Sequence, residues 1–140
     1  MADAVVLDTS ACFAFLENEA GADIVEAYLL DARAERITVH ASFASLTEVE
    51  YITIQERGDA DAHAALAKMK DWPVQWHHTD DVLCSEAAKL KAAHKVSFAD
   101  AFVAATALRL NAMLVHKDPD FDALKGIIKL HPLPPKTGVA

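Results

Sequence analysis

The sequence predicts an α/β fold, a mainly parallel sheet sandwiched between helices. Three observations predict it. Short apolar runs end abruptly in polar residues, as Ala4-Val5-Val6-Leu7 does at Asp8 and Met113-Leu114-Val115 does at His116. The segments between such runs have helical periodicity, the alternation that builds a parallel sheet covered by helices. No Pro/Gly/Ser-rich linker and no internal repeat interrupts the 140 residues, 53% of them hydrophobic. That length suits one domain with an ample core. Residues 1–132 are read as this domain and 133–140 as a flexible tail.

The elements follow in order. Residues 4–8 read as a short buried strand. Ser10 is placed to cap a helix beginning at Ala11. Gly21 punctuates before a second helix, in which Ile24, Val25, Tyr28 and Leu29 form one face. Residues 37–40 read as a second strand. Ser42 starts a helix that ends near Gly58, and its apolar residues wrap most of the circumference, which predicts a largely buried helix. An alanine-rich helix covers about 59–71, and 73–77 read as a strand. Two further helices span 80–94 and 98–110. Met113–His116 is the next strand and Ile127–Leu130 a last short one. Pro132, Pro134 and Pro135 argue against further strand beyond it.

Composition removes several functions. No apolar run approaches the ~18 residues that span a membrane, and the N-terminus lacks the basic and apolar regions of a signal peptide, so a cytoplasmic protein is expected. The formal net charge of −8 (13 Lys+Arg against 21 Asp+Glu) argues against broad, charge-driven nucleic-acid binding. It does not exclude a nucleic-acid enzyme whose site carboxylates are offset by metal. Cys12 and Cys84 lack a CxxC partner and read as buried, inert thiols. The seven histidines show no HExxH spacing and read mostly as surface or partner-contact residues. His116 is the exception, two residues before Asp118 at a strand end, where it could touch phosphate or metal-bound water. Trp72 and Trp76 read as core or oligomer-face residues. A P-loop, GxGxxG and GxSxG are all absent.

Four acidic residues carry the chemistry. Asp8, Glu48, Asp100 and Asp118 each fall near the edge where strand ends and helix starts converge in such a fold. Each has an ordinary reading as well. Asp8 can cap the next helix, Asp100 can complete a capping box with Ser97, Asp118 before Pro119 can open a turn, and Glu48 can pair with a cation. Gathered together, however, carboxylates repel unless a cation holds them, and hard oxygen donors suit Mg²⁺ or Mn²⁺. That is the donor set of metal-assisted phosphodiester cleavage.

These segments resemble the four motifs of the PIN-domain ribonucleases, in particular the VapC-like toxins of toxin–antitoxin pairs. Val6-Leu7-Asp8-Thr9-Ser10-Ala11 resembles the first motif and Leu46-Thr47-Glu48-Val49 the second. Val96-Ser97-Phe98-Ala99-Asp100-Ala101-Phe102, with Ala104-Ala105 after it, is the most specific match. Leu114-Val115-His116-Lys117-Asp118-Pro119-Asp120-Phe121 resembles the fourth. The resemblance covers nearly the whole chain and implies a PIN-like three-layer sandwich around a five-stranded sheet. It implies an Mg²⁺- or Mn²⁺-dependent endoribonuclease with Asp8, Glu48, Asp100 and Asp118 as catalytic residues. Asp8, Asp100 and Asp118 would hold the metal, with Ser10 in support. It also implies a VapB-like antitoxin, DNA contact only through that antitoxin, and a homodimer. His116 departs from the family, which usually has Thr or Ser there. Motif register favours Glu48 over Glu50, and Asp120 is a possible extra ligand. Two other functions stay open: a Mg²⁺-dependent phosphatase or phosphotransferase with Asp8 as nucleophile, and a non-catalytic PIN-like interaction module.

Overall fold

The computed structural model describes residues 3–135. Five strands are β1 (Ala4–Leu7), β2 (Thr38–Ser42), β3 (Val74–His77), β4 (Met113–His116) and β5 (Leu130–Pro132). They form one sheet in the order β3-β2-β1-β4-β5, and every neighbouring pair is parallel. The helices are α1 (Thr9–Leu16), α2 (Ala22–Arg33), α3 (Phe43–Arg57), α4 (Asp59–Lys70), α5 (Asp81–Ala93) and α6 (Phe98–Leu110), with a 3₁₀ helix at Pro119–Leu124. This is the three-layer α/β sandwich that the sequence predicts.

Side-chain alternation along the strands makes two cores. Val5, Leu7, Val39 and Val115 face one way and pack with residues of α1, α2 and α4. Val6 and Leu114 face the other way, against α5, α6 and the 3₁₀ helix. Both cores are built mainly from Val, Leu and Ala. Strands buried on both faces explain why the sequence shows short continuous apolar runs rather than alternation. The chain runs to β2 on one side of β1 and β4 on the other. This creates a crevice at the carboxyl ends of β1 and β4, the usual ligand position in open parallel sheets.

Several expectations change. Asp8, not Ser10, caps α1: its carboxylate accepts from Ala11 N at 2.9 Å. The last strand is Leu130–Pro132 rather than Ile127–Leu130. The amides of Ile127 and Ile128 instead bond Leu124 O, in a turn that uses Gly126 at φ +84°. Pro132 sits in the sheet because β5 is an edge strand. The packed chain also reaches past 132. Leu133 is buried and its N–H donates to His116 O at 2.6 Å. The rest of the expected tail, residues 136–140, lies outside the described residues.

Helix α3 is less buried than its composition suggests, because Tyr51 and Ile54 face outward. Cys12 is buried, but Cys84 is exposed on α5. His40 is a core residue, bonded through Nδ1 to His77 Nε2 at 2.8 Å, and His131 meets the Tyr28 hydroxyl at 2.5 Å. Trp72 and Trp76 pack against the core on the α1–α2 face.

Candidate active site

The predicted acids lie around the carboxyl ends of β1 and β4, and two of the four, Asp100 and Asp118, come into one tight group. The ladder between these strands continues past Leu7, with Asp8 N donating to Val115 O at 3.1 Å. Asp8 is 3% exposed. Its Oδ1 accepts from Ser10 Oγ at 2.7 Å and from the Ala11 amide. Ser10 Oγ in turn accepts from Lys117 N at 2.8 Å, so one hydroxyl joins the ends of β1 and β4. Asp118 caps the 3₁₀ helix, accepting from Asp120 N at 2.9 Å. Asp100 lies in the first turn of α6, which Ser97 caps through Oγ. Glu48 projects from α3 and accepts from the Thr9 hydroxyl. Capping and clustering therefore coexist: Asp118 does both.

Asp100, Asp118 and Asp120 form the tight group, with one carboxylate oxygen of each within 4.8 Å of the others. The sequence ranked Asp120 below Asp8 as a ligand. The 3₁₀ turn after Asp118 is what brings Asp120 to the group. Asp8 and Glu48 lie outside the tight group but within electrostatic reach of Asp100.

The electrostatics are those of uncompensated acids. Burial, opposed by the Ser10 and Ala11 hydrogen bonds and reinforced by Asp100, raises the Asp8 pKa to about 7. Burial, then the neighbouring Asp118 charge, raises that of Asp100 to about 6, against the Ser97 hydrogen bond. Among the described residues no ion pair involves Asp8, Glu48, Asp100, Asp118 or Asp120. Lys117, next to Asp118 in the chain, turns its Nζ to Ala20 O at 2.8 Å and to Glu19 instead. Close hard-oxygen donors with no internal counter-charge fit a divalent cation.

His116 is 2% exposed, its ring lies 5.1 Å from that of Phe121, and neither ring nitrogen has a hydrogen-bond partner. Burial lowers its pKa, against the raising effect of Asp118 and Asp122. It packs against Phe121 of the 3₁₀ helix, with the charges of Asp118 and Asp122 within electrostatic reach.

This geometry defines a class, an α/β protein with a cluster of acidic side chains at the carboxyl end of a parallel sheet. The sequence matches the PIN domain family over residues 5–127, and the chain belongs to that family. No curated protein matched in a direct comparison. Solved structures share the fold. VapBC2 of Rickettsia felis, bound to a promoter DNA fragment, aligns with TM-score 0.74 and 17% identity, over 94% of this chain and 99% of its own. DNA-bound VapBC of Salmonella typhimurium gives 0.74 and 17%, over 94% and 98%. VapC20 of Mycobacterium tuberculosis, a sarcin-ricin loop cleaving toxin, gives 0.71 and 21%, over 93% and 99%. No helix among the described residues is long and apolar enough to cross a membrane.

Proposed function

We propose that this protein is a Mg²⁺- or Mn²⁺-dependent endoribonuclease, the toxin of a toxin–antitoxin pair. The observation that carries this reading is the group of Asp100, Asp118 and Asp120 on a PIN-domain scaffold. Asp100, Asp118 and Asp120 would hold the cation, with Asp8 at its edge. A bound divalent ion supplies a Lewis acid for the phosphate and lowers the pKa of the attacking water. Glu48, held by Thr9, would orient that water. Ser10 fixes the Asp8 carboxylate and the Lys117 amide, which keeps the two strand ends in register.

The phosphatase reading is weaker. A nucleophilic Asp8 needs an accessible carboxylate, whereas this one is buried and accepts from Ser10 Oγ and Ala11 N. A VapB-like antitoxin is the proposed partner, by extension from the VapBC complexes of similar fold, with DNA reached through it. An arginine or lysine of that partner would meet the acidic crevice with charge-assisted hydrogen bonds. The toxin is proposed to act in the cytoplasm as a homodimer.

The test is cleavage of single-stranded RNA by purified, chelator-treated protein, with Mg²⁺ or Mn²⁺ added back. Activity should return with the ion and be lost in Asp8→Asn, which keeps a cap acceptor for Ala11 N and so stays folded. Equal cleavage with and without the ion, or by folded Asp8→Asn, would refute the mechanism. Absence of cleavage together with absence of ion binding would favour the interaction module.

A further inference from the structure

A second cleft opens beside the carboxylates, between α3 and the start of α6. Its volume is about 370 Å³, within the range of small-ligand pockets. Tyr51 and Phe98 wall it, Phe43 and Phe102 line its floor, and Glu48 is at its rim. Phe98 is 71% exposed, an unusual position for a phenylalanine, and it precedes Asp100 by two residues. Its ring is nonetheless held, 5.2 Å from Phe102 at 62°, while Phe102 meets Phe43 at 5.2 Å and 74°. This is a supported aromatic platform that is left uncovered.

We propose that this cleft is a nucleobase subsite, in which Phe98 and Tyr51 seat an unstacked base of single-stranded RNA beside the scissile phosphate. The inference rests on the nuclease reading above and adds to it a substrate-positioning pair. Two arguments select a base as the occupant. The cleft is continuous with the candidate site through Glu48, so a nucleotide whose phosphate reaches the carboxylates has its base within reach of the aromatic walls. The charge balance points the same way. A chain of net charge −8 gives the RNA backbone little general attraction away from the cation site. Contacts that do not use phosphate charge then add affinity, and stacking on Phe or Tyr is the usual one for splayed bases. Stacking accepts any base, so the subsite selects unpaired RNA over duplex rather than one sequence.

The experiment measures binding of a fluorescein-labelled short single-stranded RNA to the Asp100→Asn protein by anisotropy. The same measurement is made with Phe98→Ala, Tyr51→Ala or Phe98→Trp added, and sedimentation reports the oligomeric state of each. Cleavage by the unsubstituted protein is followed alongside, so an absent nuclease activity is told apart from an empty subsite. Either alanine substitution should weaken binding about tenfold, as loss of one stacked base does. Phe98→Trp should restore it, and an abasic nucleotide in the RNA should make Phe98→Ala silent. Unchanged affinity in Phe98→Ala, in a preparation whose parent cleaves RNA, overturns the proposal. So does a loss of affinity that accompanies dissociation into monomers. Phe98 also borders an alanine-lined hollow on α5 and α6 (Ala87, Ala88, Ala92, Ala101), and that result would make the face an interface between copies.

Discussion

Two aspartates in this chain cap helices in the same way and live in opposite electrostatic surroundings. Asp80 caps α5 by accepting from Leu83 N at 2.8 Å, and Asp8 caps α1 by accepting from Ala11 N at 2.9 Å. Asp80 is exposed and receives both terminal nitrogens of Arg109, each at 3.0 Å. The Arg109 hydrogen bonds, then the Leu83 amide, hold its pKa down to about 2. Asp8 is buried, has no cation, and lies near Asp100. The first arrangement is complete in itself. The second is a set of acids that something outside the chain must neutralise. The cap alone does not tell a structural aspartate from a functional one; the missing counter-charge does.

The largest expected break in this comparison comes from Asp100→Asn. Loss of this donor should lower metal-dependent cleavage by more than about 100-fold, since even supporting residues of metal sites cost 10–100-fold. The same substitution removes repulsion with Asp118, so the Tm of the metal-free protein at neutral pH should rise. A fall in both would mean that Asp100 is mainly a structural residue.

A smaller effect is the pH dependence of stability without metal. Asp8 and Asp100 have folded pKa values raised to about 7 and about 6, above the unfolded value of 3.8. The folded chain therefore holds protons that the unfolded chain has released, and stability falls as pH rises from about 4 to about 7. Asp80, lowered to about 2, has the opposite sign: its contribution is present above about 4 and is lost as pH falls toward 2. Thermal melts across this range should slope downward above pH 4 in chelator, and saturating Mn²⁺ should flatten that slope. An identical slope with the ion present would argue against binding at these acids.

The smallest effect is expected for Asp80→Ala. It removes an exposed cap and ion pair, so Tm should drop modestly at neutral pH while cleavage is unaffected. Salt should reduce the difference between variant and parent, because exposed pairs are screened.

The helices were legible because their starts and stops are local: Ser42, Asp80 and Ser97 cap, and Gly58 ends α3 at φ +94°. The central strands were legible as apolar runs. The 3₁₀ helix and the place of β5 were not, since they depend on pairing with β4 and on the turn at Gly126, which no local pattern encodes. In the site, the segments carrying the acids could be read from their motifs. The place of Asp120 beside Asp100 could not, because it depends on the turn after Asp118. The His40–His77 hydrogen bond depends on strand register, with Ser42 opposite His77, which a linear reading does not supply. Nor does the sequence reveal that Phe98 stands in the open while Phe102 is covered, since both sit on the same apolar stripe.

Pro132 has a consequence for the sheet as a whole. It is the last residue of edge strand β5, and a proline has no amide hydrogen to offer a further strand. The next residue, Leu133, is drawn into the core, its N–H turned inward to His116 O. A sheet of five parallel strands is a template for growth, and an open edge invites the strands of other molecules. Here the three-residue β5 stops that growth on one side with a single imino acid, a defence against aggregation during folding that is separate from the chemistry at the other end of β4.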